Sequence, residues 1–193
     1  MNTEASLRKE RADVIRNRAK ILHAAEVHFG SSGVGASLEA VARAAGVGPA
    51  TLYRHFPTRE ALLAALLRIH RDRLLARQRE LDELSDAGEA LRGWLLGLEE
   101  YFGLFQGISE PLVAAARSGD TDHPLAGSCQ ELISATDRYL TSAQRDGRAR
   151  PDLDGLDLFI AVSAVSWIAG TGTADTASVA KLRTLFEFGY LTE

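Results

Sequence analysis

A single cysteine, Cys129, leaves the chain without an internal disulfide framework and suits a reducing compartment. No run of eighteen apolar residues is present, so no helix spanning a bilayer is expected. The start, Met1-Asn2-Thr3-Glu4-Ala5, lacks the basic-then-apolar order of a secretory leader, and a cytoplasmic location is expected. Strand signals are scarce: few stretches alternate apolar and polar residues. Signatures of catalysis are missing as well. There is no Gly-x-Ser-x-Gly, Walker or dinucleotide-binding glycine pattern. Glu-x-x-His, the ligand spacing of di-iron bundles, does not occur, and His23 and His28 lie on different faces of any helix. Glu99 and Glu100 are adjacent, so their carboxylates point about 100° apart. Neither an enzymatic centre nor a metal or cofactor is expected.

What is present is helical periodicity over 193 residues, 46% of them hydrophobic. The expected fold is all-α with about nine helices: a three-helix N-terminal head and a larger helical body. Residues 1–12 are polar and are expected to form a flexible arm, 13–58 the head and 59–193 the body. The net charge of −4 is unevenly spread, +3 over residues 1–60 and −7 over 61–193. A basic head on an acidic body suits a polyanionic partner for the head.

Ile15, Ala19, Leu22, Ala25 and Phe29 make the apolar stripe of the first helix, which Gly30-Ser31-Ser32-Gly33 stops. Ser37 suits the N-cap of a short second helix bearing Leu38, Val41, Ala42 and Ala45. Gly46 suits the positive φ of a turn, and Pro49 suits the first turn of a third helix carrying Leu52 and Phe56. Thr58 can cap a long helix from Arg59 to about Leu84, its inner side marked by Leu62, Leu66, Ile69 and Leu81. Further helices are expected through Trp94 to Phe105, near Glu110–Arg117, through Leu132 to Arg145, near Leu156–Ala169 and near Ser178–Tyr190.

Two short helices around a glycine turn make a helix-turn-helix. Gly48, Pro49, Ala50 and Thr51 are small, so the second helix can bring its leading edge against bases and thymine methyls in a major groove. Ser37, Tyr53, His55 and Arg59 can reach flanking phosphates, and Arg54, Arg43 and the basic stretch from Lys9 to Arg18 can add contacts. The pattern Ser37-Leu38, Val41-Ala42, Ala45-Gly46-Val47, Thr51-Leu52-Tyr53, His55-Phe56, Arg59-Glu60 and Leu62 closely resembles the TetR family, over about residues 14–67. The resemblance implies backbone-phosphate contacts for Ser37, Tyr53, His55 and Arg59, and base contacts for Pro49, Ala50 and Thr51. Gly48-Pro49 departs from the polar pair that many members carry. It further implies a homodimer on a palindromic double-stranded operator and a small-molecule effector.

In the body, the segment with Leu156, Phe159, Val162, Ser163, Ser166 and Trp167 is apolar or small nearly all round, so it must be covered on both sides. That is either a central helix of a monomer or, as the resemblance implies, one helix of a four-helix dimer interface. On the latter reading the interface holds Phe159, Val162, Ser163, Ser166, Leu182, Leu185 and Phe186. Trp94, Leu98, Tyr101, Phe102 and Phe105 place aromatics on successive turns, with Cys129, Ile133 and Trp167 able to face them. They are either plain core or the wall of an apolar pocket for a lipophilic or aromatic effector. The expected function is a repressor released by such an effector. Its alternatives are an activator of the same fold and a helical protein-interaction module that binds no DNA.

Overall fold

A computed structural model describes residues 3–192. Among them are nine helices: α1 (Thr3–Ser32), α2 (Leu38–Ala44), α3 (Pro49–His55), α4 (Arg59–Leu81), α5 (Ala87–Phe102), α6 (Ser109–Ser118), α7 (Ala126–Arg145), α8 (Gly155–Thr171) and α9 (Thr176–Tyr190). The expected all-α architecture is observed. Its extended pairing among the described residues is one antiparallel bridge, Ala149 with Leu191, which ties the chain after α9 to the α7–α8 loop.

The helix starts follow local chemistry. Ser37 accepts from the Ala40 N–H (3.3 Å) and Thr58 from the Ala61 N–H (3.1 Å), as their side-chain types lead one to expect. Asp86, Asp154 and Asp175 cap α5, α8 and α9, and Asp154 forms a reciprocal capping box with Asp157. α1 begins at Thr3, about ten residues ahead of the start read from periodicity. Glu, Ala, Leu, Arg and Lys propagate a helix by propensity alone, without an apolar stripe to announce it.

The head packs Phe29 of α1, Val41 and Ala42 of α2, Leu52 of α3, Phe56 and Leu62 into a closed core. The buried stripe of α1 is Ile21, Ala24, Ala25 and Phe29; Ile15 is 69% exposed, because α1 runs past the helices that cover its C-terminal half. Ile69 is likewise exposed. The inner face of α4 holds Leu62, Leu66 and Leu81 as expected, together with Leu63, Leu67 and Leu74.

The body is a bundle in which α5 lies against α4, α7 and α8. Gly93 and Gly97 let α4 approach: a Cβ at Gly93 would sit 2.4 Å from Leu81 Cδ2, and one at Gly97 2.8 Å from Arg77 Cδ. Head and body share one continuous core. Phe29 meets Phe105 edge-on (6.3 Å between rings), and the Val34 N–H donates to the Gln106 carbonyl (2.9 Å). The α5–α6 turn is thus fixed to the α1–α2 loop.

Candidate nucleic-acid interface and effector body

α2 and α3 form the helix-turn-helix. Gly46 has φ +66°, as the turn demands, and Val47 N–H returns to the Ala42 carbonyl (3.0 Å). Gly48 is the extended residue before α3, and Pro49 opens the helix. Gly48, Pro49 and Ala50 are exposed and Thr51 is half-buried, so the small residues expected at a reading edge share one free surface. Tyr53 (46% exposed) and Arg54 flank that edge, while His55 is half-buried. Ser37, exposed, already spends a lone pair on the α2 cap, which leaves its O–H free to donate to a phosphate.

Arg59 is already engaged within the head. Its guanidinium turns inward, donating through one nitrogen to the carbonyls of Val34 and Ala36 (the latter at 2.7 Å) and lying 5.9 Å from the Phe29 ring. It binds the α1–α2 loop to the first turn of α4. We predict that Arg59→Gln destabilises the head by about 2 kcal/mol, the scale of a part-buried charged hydrogen-bond pair. Duplex affinity falls with it while the salt slope stays unchanged, as anisotropy titrations over a salt series will show. A slope smaller by about one would instead place Arg59 on a phosphate. A basic residue missed by the sequence reading is Arg18, named there only as part of a stretch. It stacks on Phe56, 4.5 Å from the ring.

The eight residues expected to line an effector pocket do not come together around a cavity. Trp94 is 1% exposed, stacks on Tyr139 (5.4 Å between rings) and donates Nε1–H to Thr136 Oγ1 (2.9 Å). Leu98 is buried, and Phe102 meets Phe159 edge-on at 5.1 Å. Phe105 lies past the end of α5, between Phe29 and His70. Cys129 is buried with its thiol on the Leu112 carbonyl, and burial pushes that thiol up to about 12, so it stays protonated and unreactive. Cys129 and Ile133 border a different, surface cleft. Trp167 is 52% exposed and points away from the rest.

A groove of about 670 Å³ lies between α4 and α5. Of the expected residues it takes only Tyr101, whose hydroxyl donates to the Leu67 carbonyl (3.3 Å). Its floor is Leu74, Leu81 and Leu104; its rim carries Arg73, Glu80 and the ion pair Arg77–Glu100 (3.1 Å). The sequence signal was the Gly93-x-x-x-Gly97 spacing, which marks where α5 admits a close neighbour.

The expected interface residues divide in two. Phe159, Val162, Ser163 and Ser166 face inward and are closed within their own protomer. Leu185 is 70% exposed, and Leu182 and Phe186 are half-buried. An α8 apolar on every side gives no sequence cue to which stripe meets the core. The free stripes are Ala161, Ala164 and Trp167 on α8, and Leu182, Leu185 and Phe188 on α9. α9 is held to α5 by Arg183–Glu99 (2.8 Å) and by Arg92 with Glu187.

A capped, glycine-turned helix-turn-helix on a long helix leading into an all-helical body defines a DNA-binding transcriptional regulator. Residues 21–66 match the family described as bacterial regulatory proteins, tetR family, and residues 86–189 match the SbtR-like transcriptional regulator C-terminal domain. The chain belongs to the TetR family. It is similar to the HTH-type transcriptional regulator UidR of Escherichia coli K12, 28% identical over 139 residues, 71% of each protein. It is similar to a TetR transcriptional regulator of Streptomyces coelicolor, 34% identical, with 91% of this chain and 99% of that one covered at a TM-score of 0.57. KstR2, the ketosteroid transcriptional regulator of Mycobacterium tuberculosis, shares the fold at 22% identity and a TM-score of 0.60, with 91% and 95% covered. The chain is accordingly a DNA-binding transcriptional regulator.

Proposed function

We propose that this chain is a homodimeric repressor acting in the cytoplasm. Two copies set their α3 helices in successive major grooves of a palindromic operator, roughly 34 Å apart. The observation that carries this reading is the free edge Gly48-Pro49-Ala50-Thr51, backed by a closed head core. That edge is poor in hydrogen-bonding side chains, so it reads thymine methyls and groove shape as much as base-edge donors and acceptors. Tyr53, Arg54, His55 and Ser37 hold phosphates on either side.

A small effector enters the α4–α5 groove. The leucine floor takes an apolar or aromatic portion, and the charged rim takes a polar group. α4, 23 residues and about 34 Å long, carries the change to the head. The effector acts only by its differential affinity for the two head spacings.

A gel shift with the DNA flanking the chain's own gene tests the reading, and failure to bind any genomic fragment at low salt would overturn it. In the same assay Tyr53→Phe weakens binding to all duplexes alike, by about 1 kcal/mol. Thr51→Ala instead changes which base is preferred at one position of each half-site. A uniform loss from Thr51→Ala would remove it from the reading edge.

A further inference from the structure

A second cleft, of about 430 Å³, lies between head and body, apart from the α4–α5 groove. Arg18 of α1 and His55 at the end of α3 form its head side. Arg68 and Arg71 of α4 and the first turn of α7 form the rest. Three guanidinium groups therefore face one space. The one carboxylate there among the described residues is Glu131, already held by Arg71 at 2.8 Å. Among the described residues no carboxylate pairs with Arg18 or Arg68.

Two further features point the same way. Arg71 Nε is buried and meets no acceptor among the described residues. Its guanidinium, 36% exposed and bound to Glu131 through one nitrogen, keeps other N–H donors for an incoming acceptor. α7 also starts on this cleft without a side-chain cap, and no described acceptor takes the N–H groups of Gly127 or Ser128. The positive end of a 20-residue helix dipole thus adds to the arginine charge.

We propose that this cleft binds a small oxyanion, a phosphate or carboxylate carried by a compact diffusible molecule. Planar arginine forks suit such groups, which they grip through paired N–H donors. The far wall is α7 of the body, so the occupant sits between the two halves and off the reading edge. Held by Arg18 on one side and Arg68 and Arg71 on the other, it favours one orientation of the head on α4. That second step rests on the regulator reading above; the binding itself does not.

The test is thermal melting of the full chain in inorganic phosphate against chloride at matched ionic strength, with isothermal titration of phosphate. The expected result is a saturable rise in melting midpoint. Arg68→Gln/Arg71→Gln lowers phosphate affinity by at least about tenfold, while Arg145→Gln at the far end of α7 leaves it unchanged. Arg68→Gln alone, which breaks no ion pair among the described residues, serves if the double variant misfolds. A midpoint that ignores phosphate, or a rise that survives both substitutions, overturns the proposal. So does a double variant whose duplex salt slope falls by about two while phosphate produces no saturable shift, since the cleft would then serve DNA phosphates.

Discussion

Trp94→Ala is expected to lower the stability of the chain by about 3–5 kcal/mol, a large share of the roughly 5–15 kcal/mol that holds a domain folded. The indole is closed off from solvent, stacked on Tyr139 and hydrogen-bonded to Thr136. Its removal opens a cavity at the junction of α5 with α7. Trp94→Phe keeps most of the packing and forfeits the Nε1–H bond; Thr136 still donates to the Leu132 carbonyl (2.8 Å), so the loss is nearer 1–2 kcal/mol. Trp167→Ala, at an exposed residue, leaves the protomer's own stability nearly unchanged. Urea melts followed by circular dichroism measure all three over a series of protein concentrations, which separates the protomer's own stability from dimerisation, since dimerisation shifts the midpoint. A Trp94→Ala loss below about 1 kcal/mol would mean that the indole lines a space with room to spare. The aromatic row of α5 would then be a ligand wall after all.

That contrast between the two tryptophans shows what was legible in the sequence. The head was readable because its signals are local. Ser37 and Thr58 cap, Gly46 turns, Pro49 starts a helix, and each acts within four residues of itself. Packing in the body is not local. α8 is apolar on every face, so its sequence could not say that Phe159 goes inward against Phe102 while Trp167 goes outward. A stripe of aromatics on α5 likewise looks the same whether neighbouring helices fill the space beside it or leave it open. Arg59 shows a second limit. Its residue type and spacing match a phosphate contact, and only the α1–α2 loop, brought back by the head's own fold, supplies the carbonyls that claim it. In α4 the step from Leu66 to Ile69 kept helical spacing but left the buried face, which Leu63, Leu67 and Leu74 occupy.

The outward set on α8 and α9 carries the second large effect. Trp167, Leu185 and Phe188 are 52%, 70% and 77% exposed on neighbouring helices, with Ala161 and Ala164 between them at helical spacing. On the dimer reading proposed above, these exposed apolar side chains belong to the association surface. In a two-fold dimer it meets its own copy, so each substitution acts twice. Leu185→Glu places an uncompensated charge there, at about 3–5 kcal/mol per copy. Doubling that raises the dimer dissociation constant by at least about 10⁴. Sedimentation at micromolar concentration is expected to show a monomer with unchanged helical content, because Leu185 contributes little to its own protomer's core. Duplex binding by that monomer loses the coupling between two half-sites. Its specific affinity falls by about 10³ or more, toward the non-specific level, while each head keeps its phosphate contacts and its per-head salt dependence. Leu185→Ala removes the same side chain without adding charge and weakens the dimer far less, which separates lost contact from buried charge. If Leu185→Glu remained dimeric, the interface would lie elsewhere on the body. A monomer that held the operator as tightly as the parent would show that one head suffices, and the spacing between heads could then transmit nothing.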